Sequence, residues 1–103
     1  MRFLIKFTIP VERGNEVLRD PEFGQKMSQL LGDMTAEASY FALSNGQRTG
    51  YAVVSMDDAS QLPALCEPLW FWLKVDLDIT PVMLPQDLQK AGPAIGAAVK
   101  KWG

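Results

Sequence analysis

The stretch EPLWFWLKVDLDITPVM, Glu67 to Met83, changes its period in the middle. The first half sets Trp70, Phe71 and Trp72 side by side. The second alternates, with Val75, Leu77 and Ile79 on one side and Lys74, Asp76, Asp78 and Thr80 on the other. Strict alternation marks a strand whose two faces are used differently. Upstream, Leu62, Leu65, Cys66, Leu69 and Leu73 recur at helical spacing, so a helix feeds this strand. Asp58 or Ser60 can cap it. Pro63 fits best in the first turn behind Ser60, and Pro68 should kink or interrupt the helix. Residues two apart on a helix face different ways, so Trp70 and Trp72 cannot share one core. One of them belongs at an interface, under the C-terminal tail or in a pocket, with packing the simpler role for the ring cluster.

The same alternation opens the chain. In RFLIKFTI, Phe3, Ile5, Phe7 and Ile9 form one side and Arg2, Leu4, Lys6 and Thr8 the other. Pro10 ends this strand, and VERGN is expected to be a loop or frayed turn, with Asn15 able to cap a short helical turn. Asp20, Pro21 and Glu22 then read as N-cap, first helical residue and first-turn acid of a helix from about Pro21 to Leu31, carrying Phe23, Met27, Leu30, Leu31 and Met34 at helical spacing. Gly32 is a natural stop near its end. AEASYFAL and TGYAVVSM flank Asn45-Gly46, a pair suited to the positive φ angles of a tight hairpin. The buried face of the first of these strands stays open, since Tyr40 and Phe41 are both plausible inside. In the tail, Leu88, Ala91, Ile95, Val99 and Trp102 form a seam broken at Gly92-Pro93, which predicts two short helices.

Strand, helix, strand, strand, helix, strand and a helical extension give an α+β fold of ferredoxin-like βαββαβ topology. Residues 1–84 form the domain and 85–103 a C-terminal extension packing on it or on a partner subunit. Right-handed crossovers put both helices on one face of a four-stranded antiparallel sheet. The usual order, 4-1-3-2, makes Phe3, Ile5, Phe7, Ile9, Ala52, Val54, Val75, Leu77 and Ile79 the core face. The other face then sets Arg2 and Lys6 near Asp76 and Asp78, an arrangement that predicts cross-strand salt bridges worth ~0.2–1 kcal/mol. A face mixing Leu4, Tyr51, Val53 and, on one reading of the second strand, Phe41 with opposite charges suits a lid over a partly polar cavity, which a second copy of the sheet would supply. Asp76 and Asp78 would line that shared interior.

Composition narrows the classes. At 103 residues the chain has material for one domain, and 48% hydrophobic with 21% charged residues reads as globular. A formal net charge of −2 offers no basic face for nucleic acid, and the basic aromatic groove of a single-strand binder is missing. The apolar run Leu69–Leu73 is too short to span a bilayer and Arg2 and Lys6 interrupt any signal-like core, so no membrane role and a cytoplasmic location are expected. The single Cys66 has no Cys or His neighbour for a disulfide or zinc, and on its apolar stripe it reads as an inert core thiol. The chain has no histidine, which removes the usual general base near neutral pH and the commonest haem and metal ligand. No metal site and no resident cofactor are expected, and any chemistry must use carboxylates, Lys, Tyr, Cys or Arg, or else a bound cofactor.

The stretches GYAVVSMDDASQL and VDLDITPVM resemble the third strand with its helix start, and the last strand, of an uncharacterised branch of the small bacterial dimeric α/β-barrel proteins. That superfamily of ferredoxin-like topology includes cofactor-free monooxygenases of antibiotic biosynthesis and muconolactone isomerases. The resemblance implies a homodimer of two sheets packed face to face, with ligands bound between sheet and helices or within the barrel. Its catalytic members often rely on a histidine, so their chemistry is not carried over, nor is that of the haem-using branches.

Two functions follow as expectations. One is a protein that binds a small hydrophobic or aromatic molecule in a pocket lined by Tyr40, Tyr51, Trp70 and Trp72. Asp76 or Asp78 would then be a base and Lys6 or Arg2 the stabiliser of developing negative charge, in an isomerisation or oxygenation. The other is a non-catalytic dimeric interaction module whose seam, ending in Trp102, docks on a partner.

Overall fold

The computed structural model describes residues 1–103. Four strands, β1 (Arg2–Thr8), β2 (Ala38–Ser44), β3 (Gln47–Ser55) and β4 (Asp76–Val82), form one antiparallel sheet in the order β2-β3-β1-β4. This is the expected α+β arrangement. Asn45 (φ 53°) and Gly46 (φ 74°) both take the left-handed conformation that closes the β2–β3 hairpin in two residues.

The helices are α1 (Val11–Leu18), α2 (Phe23–Asp33), α3 (Leu62–Leu73), α4 (Pro85–Lys90) and α5 (Gly92–Trp102). Helix α1 corrects the expected loop at VERGN. Pro10 stands just before it, its carbonyl accepting the Gly14 N–H at 2.8 Å, Glu12 sits in its first turn, and Gly14 and Val17 bury one side. Gly14 also makes room for the Arg48 side chain, which crosses the helix to reach Asn15 Oδ1 at 3.0 Å. Helix α2 starts two residues later than expected. Asp20 instead shapes the preceding turn, accepting the Glu22 N–H at 2.9 Å and the Lys26 ammonium at 2.7 Å. It also runs past Gly32, because Met27, Leu30 and Met34 keep a buried seam going for another half turn before Thr35 reverses the chain at φ 52°.

The start of α3 is set by Asp58, whose carboxylate takes the Ser60 N–H at 2.9 Å while Gln61 Oε1 reaches back to the Asp58 N–H at 3.1 Å. This reciprocal cap opens a short 3-10 turn, Ala59–Gln61, that leads into α3, so Ser60 is not the cap. Pro68 does not interrupt the helix. It and Ala64, whose carbonyl it cannot bond, are both exposed, so that carbonyl faces water. Lys74 ends α3 in a left-handed conformation (φ 55°) and therefore lies outside the strand that begins at Asp76.

The core lies between one sheet face and the helices. Ile5, Phe7, Ile9, Ala52, Val54 and Val75 meet Met27 and Leu30 of α2 and Leu65, Leu69 and Leu73 of α3, and all are buried. Phe3, Leu77 and Ile79 pack against this cluster but stay partly open. Arg13 ties α1 to the end of α3 by donating from Nε to the Trp72 carbonyl at 2.7 Å. No helix is long and apolar enough to cross a membrane.

Helices α4 and α5 carry no buried residue. They leave the end of β4 as an arm, and the radius of gyration is 17.3 Å where a compact chain of this length has about 13 Å. The longest dimension of the chain is 58 Å against 28 and 20 Å for the others.

Candidate functional site

Two surfaces of this fold are left without a cover. The first is the sheet face turned away from the helices. The register aligns Tyr40, Tyr51, Lys6 and Asp78 in one row across all four strands, with Ala38, Val53, Leu4 and Thr80 in the next row and Ala42, Thr49, Thr8 and Asp76 in the one beyond. Lys6 and Asp78 are thus direct cross-strand partners, as the alternation implied, but they do not pair. Lys6 Nζ donates to Ser44 Oγ at 3.1 Å, and neither Asp76 nor Asp78 takes part in a salt bridge. Arg2 is further away than expected. It stands opposite Val82 and binds Glu37 at 3.0 Å, where Ser55 Oγ adds a bond at 3.3 Å. Arg2 holds the Glu37 carboxyl below its ordinary range, outweighing its partial burial. The expected salt bridges to the aspartates are corrected accordingly.

The second uncovered surface is a groove on the helix side, along β4. Helix α3 presents two ridges of i, i+4 spacing. Leu65, Leu69 and Leu73 point into the core, while Leu62, Cys66 and Trp70 form a wall above β4. Ile79, Leu77 and Phe3 make the floor. Because β4 is an edge strand, α3 covers its inner side chains only in part. The groove contains two adjoining cavities that share Leu62 and Ile79, one of about 510 Å³ closed at its end by Met1 and Met56, the other of about 440 Å³ bounded by Trp70.

Its polar groups sit at the rim: Asp57 and Asp58 at one end, Glu67 at the other. The Asp58 carboxyl is drawn below its usual range by the Ser60 backbone N–H it accepts. The Cys66 thiol is pushed up from its ordinary 9.0, first by burial and then by the negative charge of Glu67. Cys66 thus lies buried in the wall, on the apolar stripe that its spacing predicted. No group of three or more Cys, Asp or Glu residues is arranged to hold a metal ion.

The four aromatic residues named from sequence do not share one pocket. Tyr40 and Tyr51 lie on the outer sheet face, whereas Trp70 and Trp72 lie on α3, on the other side of the sheet. The two tryptophans also diverge. Trp70 borders the groove, and Trp72 packs on Phe23 of α2 with ring centroids 5.6 Å apart. The open register question at β2 resolves with Tyr40 on the outer face and Phe41, opposite Gly50, on the helix side. Met1, Phe3, Met56, Leu62, Leu77 and Ile79 were not singled out as site residues, because in sequence they look like ordinary core. Only their position around the groove beside the edge strand β4 distinguishes them.

The profile of a family described as a domain of unknown function, DUF3303, matches residues 1–96. No curated protein matches the chain.

Proposed function

We propose that this chain, which belongs to the DUF3303 family, is a homodimeric binding protein that takes a small hydrophobic or aromatic molecule into the groove between α3 and β4. The groove itself carries the reading. Each of its cavities, about 510 and 440 Å³, falls in the ~300–1,000 Å³ range of ligand pockets, and both have apolar walls with a few carboxylates at the rim. With the thiol of Cys66 held protonated, binding fits these walls better than covalent chemistry.

The dimer rests on the outer sheet face. Leu4, Tyr51 and Val53 form an apolar strip there that nothing in the chain covers, and a second copy of the sheet is self-complementary to it. Such a pair would form the dimeric α/β barrel of the superfamily that the sequence resembles. Asp76 and Asp78 would face its interior, and Lys6 would turn from Ser44 to its cross-strand neighbour Asp78, because a carboxylate leaving water needs a partner. This neighbourhood also favours a second reading, in which Asp78 acts as base and Lys6 stabilises developing negative charge on a molecule held between the sheets. Arg2, engaged by Glu37, has no part in it.

Titration with the neutral fluorophore N-phenyl-1-naphthylamine tests the groove. Saturable binding by the wild type, weakened at least tenfold in Trp70→Ala and in Leu62→Asp with circular dichroism unchanged, is the expected result. Equal binding by all three would refute the groove. Light scattering at micromolar concentration is expected to give twice the chain mass, and a monomer would refute the face-to-face pairing.

A further inference from the structure

The groove is open on one side, whereas a bound small molecule normally has most of its surface covered. A second feature also stands unsatisfied: the arm. Leu84, Leu88, Ala91, Ile95, Val99 and Trp102 follow one another at intervals of three or four residues along α4 and α5. Ala91 N–H bonds to Asp87 O at 3.2 Å and Ile95 N–H to Ala91 O at 3.0 Å, so the two helices carry one apolar seam across the Gly92-Pro93 break. Trp102 at its end is 79% exposed.

We propose that the arm of one copy closes the α3–β4 groove of the other, so that the binding site is complete only in the dimer. The inference rests on the homodimer and the groove argued above and adds the missing wall.

Charge selects the groove. The arm carries Lys90, Lys100 and Lys101 against Asp87 alone, while the remainder of the chain holds seven basic and eleven acidic side chains. The groove rim presents Asp57, Asp58 and Glu67. A second apolar cleft, lined by Leu18, Phe23, Met27 and Phe41 on the β2 side, has Arg48 as its charged residue, the same sign as the arm. Opposite charges at a rim steer association and exclude wrong surfaces.

Length agrees as well. Leu62 to Trp70 spans about 12 Å of helix axis and Ile95 to Trp102 about 10 Å, at 1.5 Å per residue. The arm does not fold back on its own groove. Only Met83 and Leu84 separate β4 from α4, and the Leu84 N–H is fixed to Asp87 Oδ2 at 2.9 Å, which aims the arm outward.

The test uses the full chain with p-benzoylphenylalanine at the exposed position of Val99. Irradiation is expected to produce a covalent species of twice the chain mass, with cross-linked peptides containing Met1, Met56 or Leu62. Lys100→Glu with Lys101→Glu should lower its yield several-fold at low salt. A product of single-chain mass joined to the same peptides would mean docking within one chain and overturn the exchange. Light scattering on the same sample separates the two layers of inference. A dimer whose cross-links miss the groove overturns the arm's role and leaves the pairing of sheets intact, while a monomer removes the homodimer and the exchange with it.

Discussion

Gly50 provides a sharp test of the packing. It lies opposite Phe7 in the β1–β3 register, and a Cβ built on it would run into the Phe7 ring. Phe7 is 0% exposed and enclosed by the helix layer, so it has nowhere to move. Forcing an extra methyl into such a site typically costs about 1–3 kcal/mol. Replacing a strand glycine by alanine gains about 0.5–1 kcal/mol through reduced chain entropy and acts in the opposite direction. The overpacking wins, so Gly50→Ala is expected to destabilise by about 1–2 kcal/mol. That corresponds to a melting temperature lower by roughly 4–16 °C for a domain of this size.

Urea titration followed by circular dichroism, at one fixed protein concentration because association shifts the midpoint, measures the loss. Gly24→Ala and Gly32→Ala provide the control. Both glycines lie in α2 with nothing near the added methyl, so both changes should stabilise by up to about 1 kcal/mol. Phe7→Leu combined with Gly50→Ala should cost less than the sum of the single changes, since the smaller side chain yields the space. A neutral or stabilising Gly50→Ala would mean that Phe7 does not lie across Gly50 and that the register is wrong.

Leu69→Ala, at a fully buried position of α3, should cost about 2–5 kcal/mol in the same urea assay. Cys66 should resist Ellman's reagent for hours at pH 7–8 in the native protein and react at once in urea. Its raised pKa means that stability tied to the neutral thiol is complete below 9.0 and declines as the pH rises beyond it. Asp20, Glu37 and Asp58 are shifted the other way, with folded-state pKa values below 3.8, 4.5 and 3.8, so their contribution is present above those values and lost as the pH falls through the lowered ones. Urea midpoints should accordingly hold from pH 7 to about 5 and drop below about 4.5. Glu37→Gln, which weakens the contact with Arg2, should flatten part of that drop.

Much of the architecture was legible because two periods, 2 for strands and 3.6 for helices, are written plainly in RFLIKFTI, VDLDITPV and LPALCEPLWFWL. The hairpin was legible because only a few residues accept positive φ twice in succession, and Asn45-Gly46 is such a pair. Helix α1 was not, because eight residues with a central glycine carry little periodic signal and the helix is held largely by contacts distant in sequence, Arg13 to the end of α3 and Arg48 across Gly14. The site was harder still. Alternation identifies which face a side chain takes, so Lys6, Asp76 and Asp78 were assigned to one face correctly. It does not say how far a helix reaches across a sheet, and the groove exists because α3 covers β4 only in part. Nor does it choose among hydrogen-bond partners, and for this reason Lys6 was expected at an aspartate and is found at Ser44.

The two edges of the sheet are guarded unequally. On β4, Pro81 cannot donate a hydrogen bond to an incoming strand, and Asp76 and Asp78 repel like-charged neighbours. On β2, the segment ASYFALS contains neither a charge nor a proline, and Tyr40, Phe41 and Leu43 are 65, 60 and 77% exposed. A seven-residue strand of this composition on an open edge is a template for cross-β stacking. When the protein is concentrated or partly unfolded, aggregation is expected to start at β2, and Ser39→Lys is the change that should give this edge the kind of protection β4 already has.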